Sequence, residues 1–232
     1  MQGPSHAAPA GPRPVDLAEL FPAFVSTALA PLGSHTTSPF AEERRAVARA
    51  WKDRRSQFFG GRACARAALG SLGYPPAPLG VGPGREPLWP NGVVGSISHG
   101  GAWCGAVAAR ASEARGLGLD VEVLDPAVSQ EVEHLVHTGE ERRALPRSSA
   151  DRHGATTVTF GAKECVYKCL FPLTGWRLDL HDVTVELDLA GSSFRARLAD
   201  DQRHEELGVQ HLDGRFVVAD GHVFTGLCLP AG

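Results

Sequence analysis

The residues of this 232-residue chain whose types and spacing suit chemistry are three carboxylates and the cations around them. Asp120 and Glu122 stand two apart in Gly118-Leu119-Asp120-Val121-Glu122-Val123. Glu164 lies between two lysines in Phe160-Gly161-Ala162-Lys163-Glu164-Cys165-Val166-Tyr167-Lys168. Side chains alternate along a strand, so Asp120 and Glu122 project from one face while Leu119, Val121 and Val123 occupy the other. Two carboxylates about 7 Å apart at their α-carbons can reach one hard cation; the rival is a half-exposed strand with a charged solvent face. On a helix, Glu164 and Lys168 are four apart and could equally form a plain surface ion pair worth about 0.3–0.5 kcal/mol. Lys163 points about 140° away from Lys168, so an anion shared by both has to be large and lie over the helix. Together these groups suit a magnesium-bound phosphate ester.

More cations lie upstream. Arg62 and Arg66 share a helix face, with Arg54 and Arg55 about two turns earlier. They form either a solvated basic face or a phosphate-binding stripe, for which the planar guanidinium fork is suited. The Gly/Pro-rich stretch 80–92 holds Gly84-Arg85-Glu86-Pro87-Leu88-Trp89-Pro90. So constrained a backbone makes either the edge of a site for a ligand base or a packing corner. Ser98 and His99 end a strand-like run before Gly100-Gly101. There an imidazole beside a hydroxyl can clasp a phosphate or simply bond the local backbone.

The elements that must position these residues follow from pattern. A short helix and a strand are expected up to residue 32. Ser38-Pro39 reads as an N-cap and first helical position, with Glu42 and Glu43 in the first turn. Residues 51–72 continue as helix, interrupted or joined at Gly60-Gly61 and stopped at Gly73 before Pro75-Pro76. Residues 93–99 and 103–109 read as paired strands. Residues 125–150 are polar and helical in pattern between Pro126 and Pro146, and 151–159 are an ill-defined connection. The helix that starts at Phe160 is expected to stop before Pro172. Residues 178–189, 193–198, 215–219 and 222–229 read as an antiparallel meander packed on that helix. His181, His204, His211 and His222 receive no role.

Composition narrows the class. Hydrophobic content of 43%, charged content of 21% and a net charge of −3 fit a soluble globular protein. They give no overall pull toward nucleic acid or an acidic membrane, so any anion site is local. Five cysteines without a CxxC pair read as reduced thiols and a cytoplasmic protein. Residues 1–14, rich in Pro, Ala and Gly, read as a disordered extension without the apolar core of a signal peptide. Asp16, Glu19, Pro22 and Pro31 interrupt residues 15–32 too often for a membrane span.

The order of the pieces carries more than any one of them: basic helix, Arg85-Glu86-Pro87-Leu88-Trp89-Pro90, Gly95-Ser96-Ile97-Ser98-His99, Gly118-Leu119-Asp120-Val121-Glu122, then Phe160-Gly161-Ala162-Lys163-Glu164 with Lys168. In that order it resembles the 4′-phosphopantetheinyl transferases of the surfactin and enterobactin type. Phe160 stands where many of them carry tryptophan, and Cys165 where alanine or serine is commoner.

The resemblance implies an α+β pseudo-dimer of two similar halves, residues 15–115 and 116–232, with coenzyme A in the cleft between them. It implies Asp120, Glu122 and Glu164 as ligands of magnesium, or of manganese in its place. Lys163 and Lys168 would meet the pyrophosphate. His99 with Ser98, and Arg62 with Arg54 or Arg55, would surround the 3′-phosphate, while Gly84, Arg85, Glu86 and Pro87 would edge the adenine. The implied reaction moves phosphopantetheine onto a serine of an apo acyl, peptidyl or aryl carrier domain of a polyketide, nonribosomal peptide or siderophore synthase. Glu164, Lys163 and Asp120 would be catalytic and the enzyme a monomer. The alternatives are a metal-dependent phosphoesterase acting on coenzyme A and a non-catalytic carrier-binding homologue.

Overall fold

A computed structural model describes residues 15–124 and 129–232. The disordered extension expected at residues 1–14 and the boundary expected at Pro126 lie outside the described residues.

After a 3-10 turn at Leu17–Leu20 come β1 (Ser26–Pro31), α1 (Ala41–Ala46) and α2 (Lys52–Ser71). The short pair β2 (Gly80–Val81) and β3 (Pro87–Leu88) leads to the hairpin β4 (Val93–Gly100) and β5 (Trp103–Arg110). The three longer strands form an antiparallel sheet in the order β1-β5-β4. Its apolar face is covered by Cys64, Ala65, Ala68 and Leu69 of α2. Gly60-Gly61 neither breaks nor joins this helix. They are where it touches the sheet: a Cβ on Gly61 would lie 2.6 Å from Ile97, and one on Gly60 would lie 2.7 Å from the Cys104 sulfur.

Ser38 does not cap a helix. The helix begins later, with Phe40 at its N-cap, while the Ser38 hydroxyl donates to Glu43 at 2.5 Å. Glu43 is 1% exposed. It accepts from Arg66 at 2.7 and 2.9 Å and from the Leu79 N–H at 3.0 Å, so its carboxylate is a buried anchor rather than a first-turn surface charge.

The chain continues through β6 (Ala114–Val123), α3 (Gln130–Val136), α4 (Gly139–Ala144) and α5 (Ser149–Thr174). After a 3-10 turn at Leu180–Asp182 it continues as β7 (Val183–Asp188), β8 (Ser193–Leu198), α6 (Asp201–Leu207), β9 (Leu212–Ala219) and β10 (His222–Pro230). The meander expected from alternation is present, with β6 paired to β10 in the order β6-β10-β9-β8-β7. Val158, Ala162, Val166 and Leu170 of α5 pack with Val183, Phe194, Phe216 and Leu227 in its core.

Two further expectations are corrected. Residues 151–159 belong to α5, which Ser148 caps by accepting from Asp151 N. Pro172 lies inside the helix, in its last turns, and the chain leaves at Gly175 with φ 73°. The helix α6, capped by Asp200, was not anticipated; its polar sequence buries only His204 and Leu207.

The approach of α5 to β6 positions the carboxylates. A Cβ on Gly118 would run into the Cys165 carbonyl, and one on Gly116 would lie 2.7 Å from the Cys169 carbonyl oxygen. At Gly161 it would run into Thr225 Oγ1 and lie 3.4 Å from Asp120 Oδ2. Four helix residues advance about 6 Å, and two strand residues about 6.6–6.8 Å. The steps 161, 165, 169 on the helix therefore match 120, 118, 116 on the strand, running in opposite directions. Two glycines let the helix down onto the strand, and Asp120 comes next on the same face. Helix side chains lean toward the N-terminus, which directs Lys168 back along α5 toward Asp120.

Candidate active site

Asp120 is 2% exposed, so its strand face is not a solvent face. Its Oδ1 accepts from Lys168 Nζ at 2.5 Å and from the Ser98 hydroxyl at 3.0 Å. The Ser98 oxygen in turn accepts the Val121 N–H at 3.2 Å and lies 3.2 Å from Lys168 Nζ. One strand position pair earlier, Ser96 Oγ accepts the Leu119 N–H at 3.0 Å. The β4 and β6 strands, which belong to different sheets, are thus joined by two serine hydroxyls. Sequence reasoning did not single out Ser96; its alternation with Ser98 was the available signal.

Lys168 has left the surface pairing with Glu164 for Asp120. Burial works against its ammonium, yet Asp120 beside it holds the pKa above the ordinary lysine value. Burial and then Asp120 push Glu122 up to about 7. Burial also raises Glu164, against Lys168 and with Asp120. Asp120 Oδ2 is buried with no hydrogen-bond partner. Three carboxylates around one ammonium are short of positive charge, which is the environment a divalent cation relieves. Among the described residues no three His, Cys, Asp or Glu side chains close into a metal cage. Magnesium bound through one or two carboxylates and completed by substrate phosphates needs none, so the donor set fits that ion.

The opposite imbalance lies alongside. Arg54 Nη1 is 2.9 Å from His99 Nε2. A guanidinium only donates, so His99 accepts there and is neutral, with its proton on Nδ1. Burial, Arg54 and Lys168 all lower the His99 pKa, and burial with Arg85 lowers that of Arg54. These cations repel one another and suit a polyanion. Arg54 is half-buried at this point, whereas Arg55 is exposed.

At the tip of the β2–β3 turn Arg85 has φ 70°. Beside it a hollow is lined by Gly84, Glu86, Pro87, Ile97, Tyr167 and Phe171. The Tyr167 and Phe171 rings stack at 5.3 Å, and Glu86 Oε2 is buried without a partner. A flat base carrying an N–H donor matches both features.

Arg62 and Lys163 are not brought to this cleft. Arg62 is 5% exposed and its fork donates to the carbonyls of Leu79 and Gly80 at 3.3 and 3.0 Å. Burial drops its pKa to about 10. With Arg66 on Glu43, this stripe is neither a solvated face nor open to phosphate. Lys163, 2% exposed, donates to Val136 O, Leu180 O and Glu141 Oε2, each at 2.8 Å.

His137 completes that second cluster. The Thr156 hydroxyl donates to Arg152 O, so it accepts from His137 Nε2–H at 3.1 Å and leaves Nδ1 unprotonated. Burial, opposed by Glu141 and assisted by Lys163, pushes His137 from 6.5 down to about 4. A histidine neutral in the fold and protonated in the unfolded chain costs stability as pH falls from 6.5 toward 4. The expected loss is up to about 3 kcal/mol. Urea unfolding at pH 7 and pH 4.5 should show a smaller loss for His137→Gln than for the native chain; equal losses would refute the assignment.

Carboxylates short of a cation thus lie beside mutually repelling cations and a hollow walled by Tyr167 and Phe171. Residues 42–109 match the 4′-phosphopantetheinyl transferase N-terminal domain, and residues 116–224 the 4′-phosphopantetheinyl transferase superfamily. The chain is 40% identical to 4′-phosphopantetheinyl transferase Svp of Streptomyces mobaraensis over 200 residues, 83% of this chain and 80% of that one. It is 36% identical to 4′-phosphopantetheinyl transferase PptT of Mycobacterium tuberculosis over 197 residues, 83% and 86% of the two chains. Enterobactin synthase component D of Salmonella typhi is 35% identical over 120 residues, 51% of this chain and 49% of that one. The chain belongs to the 4′-phosphopantetheinyl transferase superfamily.

Proposed function

We propose that this protein moves 4′-phosphopantetheine from coenzyme A to a serine of an apo carrier protein in a magnesium-dependent reaction, releasing 3′,5′-adenosine diphosphate. Transfer to a carrier is the activity of the family. The observation that carries the finer reading is the Lys168–Asp120–Ser98 knot, with Asp120 Oδ2 unpartnered beside Glu122 and Glu164 and with Arg54, His99 and Arg85 across from it.

Asp120, Glu122 and Glu164 would hold magnesium, or manganese, together with pyrophosphate oxygens. That ion would neutralise charge on the pyrophosphate and polarise the attacked phosphorus. Lys168 meets the same pyrophosphate, Arg54 and His99 the 3′-phosphate, and Gly84 to Pro87 the adenine. Arg62 serves at one remove, by holding the 79–80 backbone that leads into this loop. The serine oxygen attacks the phosphorus that carries pantetheine and the bond to the adenosine diphosphate oxygen breaks. The hydroxyl proton passes to Glu164, the carboxylate that lines the hollow on the acceptor side.

Carrier domains of polyketide, nonribosomal peptide or siderophore synthases are the proposed acceptors, supported by the kinship with enterobactin synthase component D. A cytoplasmic monomer is part of the same reading. Five unpaired cysteines suit a reducing compartment, and among the described residues no helix is long and apolar enough to cross a membrane.

Chelation should abolish transfer and magnesium restore it. Glu164→Gln should lower turnover about 100-fold or more at saturating magnesium while coenzyme A affinity changes little. Undiminished transfer in chelator would remove the metal, and near-full turnover of Glu164→Gln would remove the base.

A further inference from the structure

Lys163 lies one residue before Glu164 yet spends its charge away from Asp120, which Lys168 takes. Its three N–H donors are all taken by Val136 O, Leu180 O and Glu141 Oε2, which leaves none for a phosphate. Swinging the ammonium to the cleft would strand the carboxylate of Glu141, a residue 5% exposed. Glu141 also accepts the backbone N–H groups of Thr138 and Val185, each at 2.6 Å. A single ion pair therefore ties α5 to the end of α3, the start of α4, the 3-10 turn at Leu180 and the strand β7.

Leu180 has a second exposure. With Lys163 itself, Glu164, Tyr167, Arg177 and Leu178 it lines a hollow along α5. The base-sized hollow at Gly84 and Glu86 lies on the β3–β4 side of the same helix. Phosphoryl transfer requires the attacking and leaving oxygens to be roughly in line. A donor whose adenosine end occupies the β3–β4 side thus leaves the trench beside Glu164 for the incoming serine.

Resting on the transferase reading above, we infer that Lys163 is a positioning residue for the acceptor: by holding Leu180 and the α3–α4 segment against α5, it shapes the trench in which the carrier serine meets Glu164. Its ammonium is engaged by the Val136 and Leu180 carbonyls and by Glu141, and acts on the trench through them.

The test is a split between the two substrates in Lys163→Met. Coenzyme A affinity, measured by calorimetry with magnesium, should stay within threefold of the native protein. The KM for an apo carrier should rise at least tenfold. A tenfold or greater weakening of coenzyme A with carrier KM unchanged would overturn the inference in favour of direct phosphate contact. A fall in kcat with both constants unchanged would overturn it in favour of a catalytic role for the ammonium, and unaltered kinetics in favour of a merely structural one. Should Lys163→Met not fold, Glu141→Gln decides in the same terms, with an expected rise in carrier KM of threefold or more. Failure of the native protein to modify any carrier would strike the transferase reading itself, and is read separately in the control.

Discussion

Asp120→Asn should lower kcat/KM for phosphopantetheine transfer about 10³-fold or more while leaving the protein folded. The amide keeps the side chain's shape and an oxygen for Lys168 and Ser98, so the knot between β4, β6 and α5 can still form. What disappears is the charge. Oδ2, now buried without a partner, would face the proposed cation, and an amide nitrogen there presents N–H groups to Glu122 instead. Lys168 also loses its counter-charge, but it is only partly buried and can remain protonated toward solvent. Steady-state kinetics at saturating coenzyme A and magnesium, with a thermal unfolding control, give the answer. Activity within tenfold of the native protein would exclude Asp120 from the metal set.

Glu43→Leu should destabilise the fold by about 3–5 kcal/mol. The substitution strands the Arg66 guanidinium, the Leu79 N–H and the Ser38 hydroxyl in a place where Glu43 is 1% exposed. Removing both ends of the pair, in Glu43→Leu with Arg66→Met, should recover more than half of the loss, because no buried charge is then left alone. Urea unfolding of the three proteins measures this. A loss below about 1 kcal/mol for the single variant would mean that water reaches the pair and that Glu43 anchors nothing. The effect should reach the site as well. Leu79 and Gly80 lie between Glu43 and Arg62 and lead into the Gly84–Glu86 turn, so the KM for coenzyme A should rise in the same variant.

The parts of the site that could be read from the sequence are those fixed by local periodicity. Alternation places Asp120 and Glu122 on one face of a strand, and 3.6-residue spacing places Glu164 and Lys168 on one stripe of a helix. The hairpin at 93–109 announces itself by Gly100-Gly101, and the C-terminal meander by its turn glycines. Periodicity gives a direction, though, and not a destination. It turned Lys163 away from Lys168, but its partners Glu141 and Leu180 are 22 and 17 residues distant in the chain. Glu43 likewise finds Arg66 and Leu79 across 23 and 36 residues, which no local pattern encodes.

The start of α5 was hidden for another reason. Thr156-Thr157-Val158-Thr159 is β-branched and weak as a helix former. It is helical because its burial against the C-terminal core outweighs propensity. The threonine hydroxyls settle by donating back to the carbonyls of Arg152 and His153 at 2.8 and 3.0 Å. Ser38-Pro39 misled in the opposite sense: its residue types suit a cap, but the hydroxyl is worth more to the buried Glu43 carboxylate.

The measurement closest to the central claim is the intact mass of an apo carrier protein after incubation with coenzyme A, magnesium and this protein, beside the same reaction with Asp120→Asn. The account predicts a gain of one phosphopantetheine unit on the carrier serine with the native protein, and almost none with the variant in the same time. Coenzyme A hydrolysed with the carrier left at its apo mass would contradict it in favour of a phosphoesterase. Coenzyme A bound but unchanged, over several classes of carrier, would contradict it in favour of a binding protein.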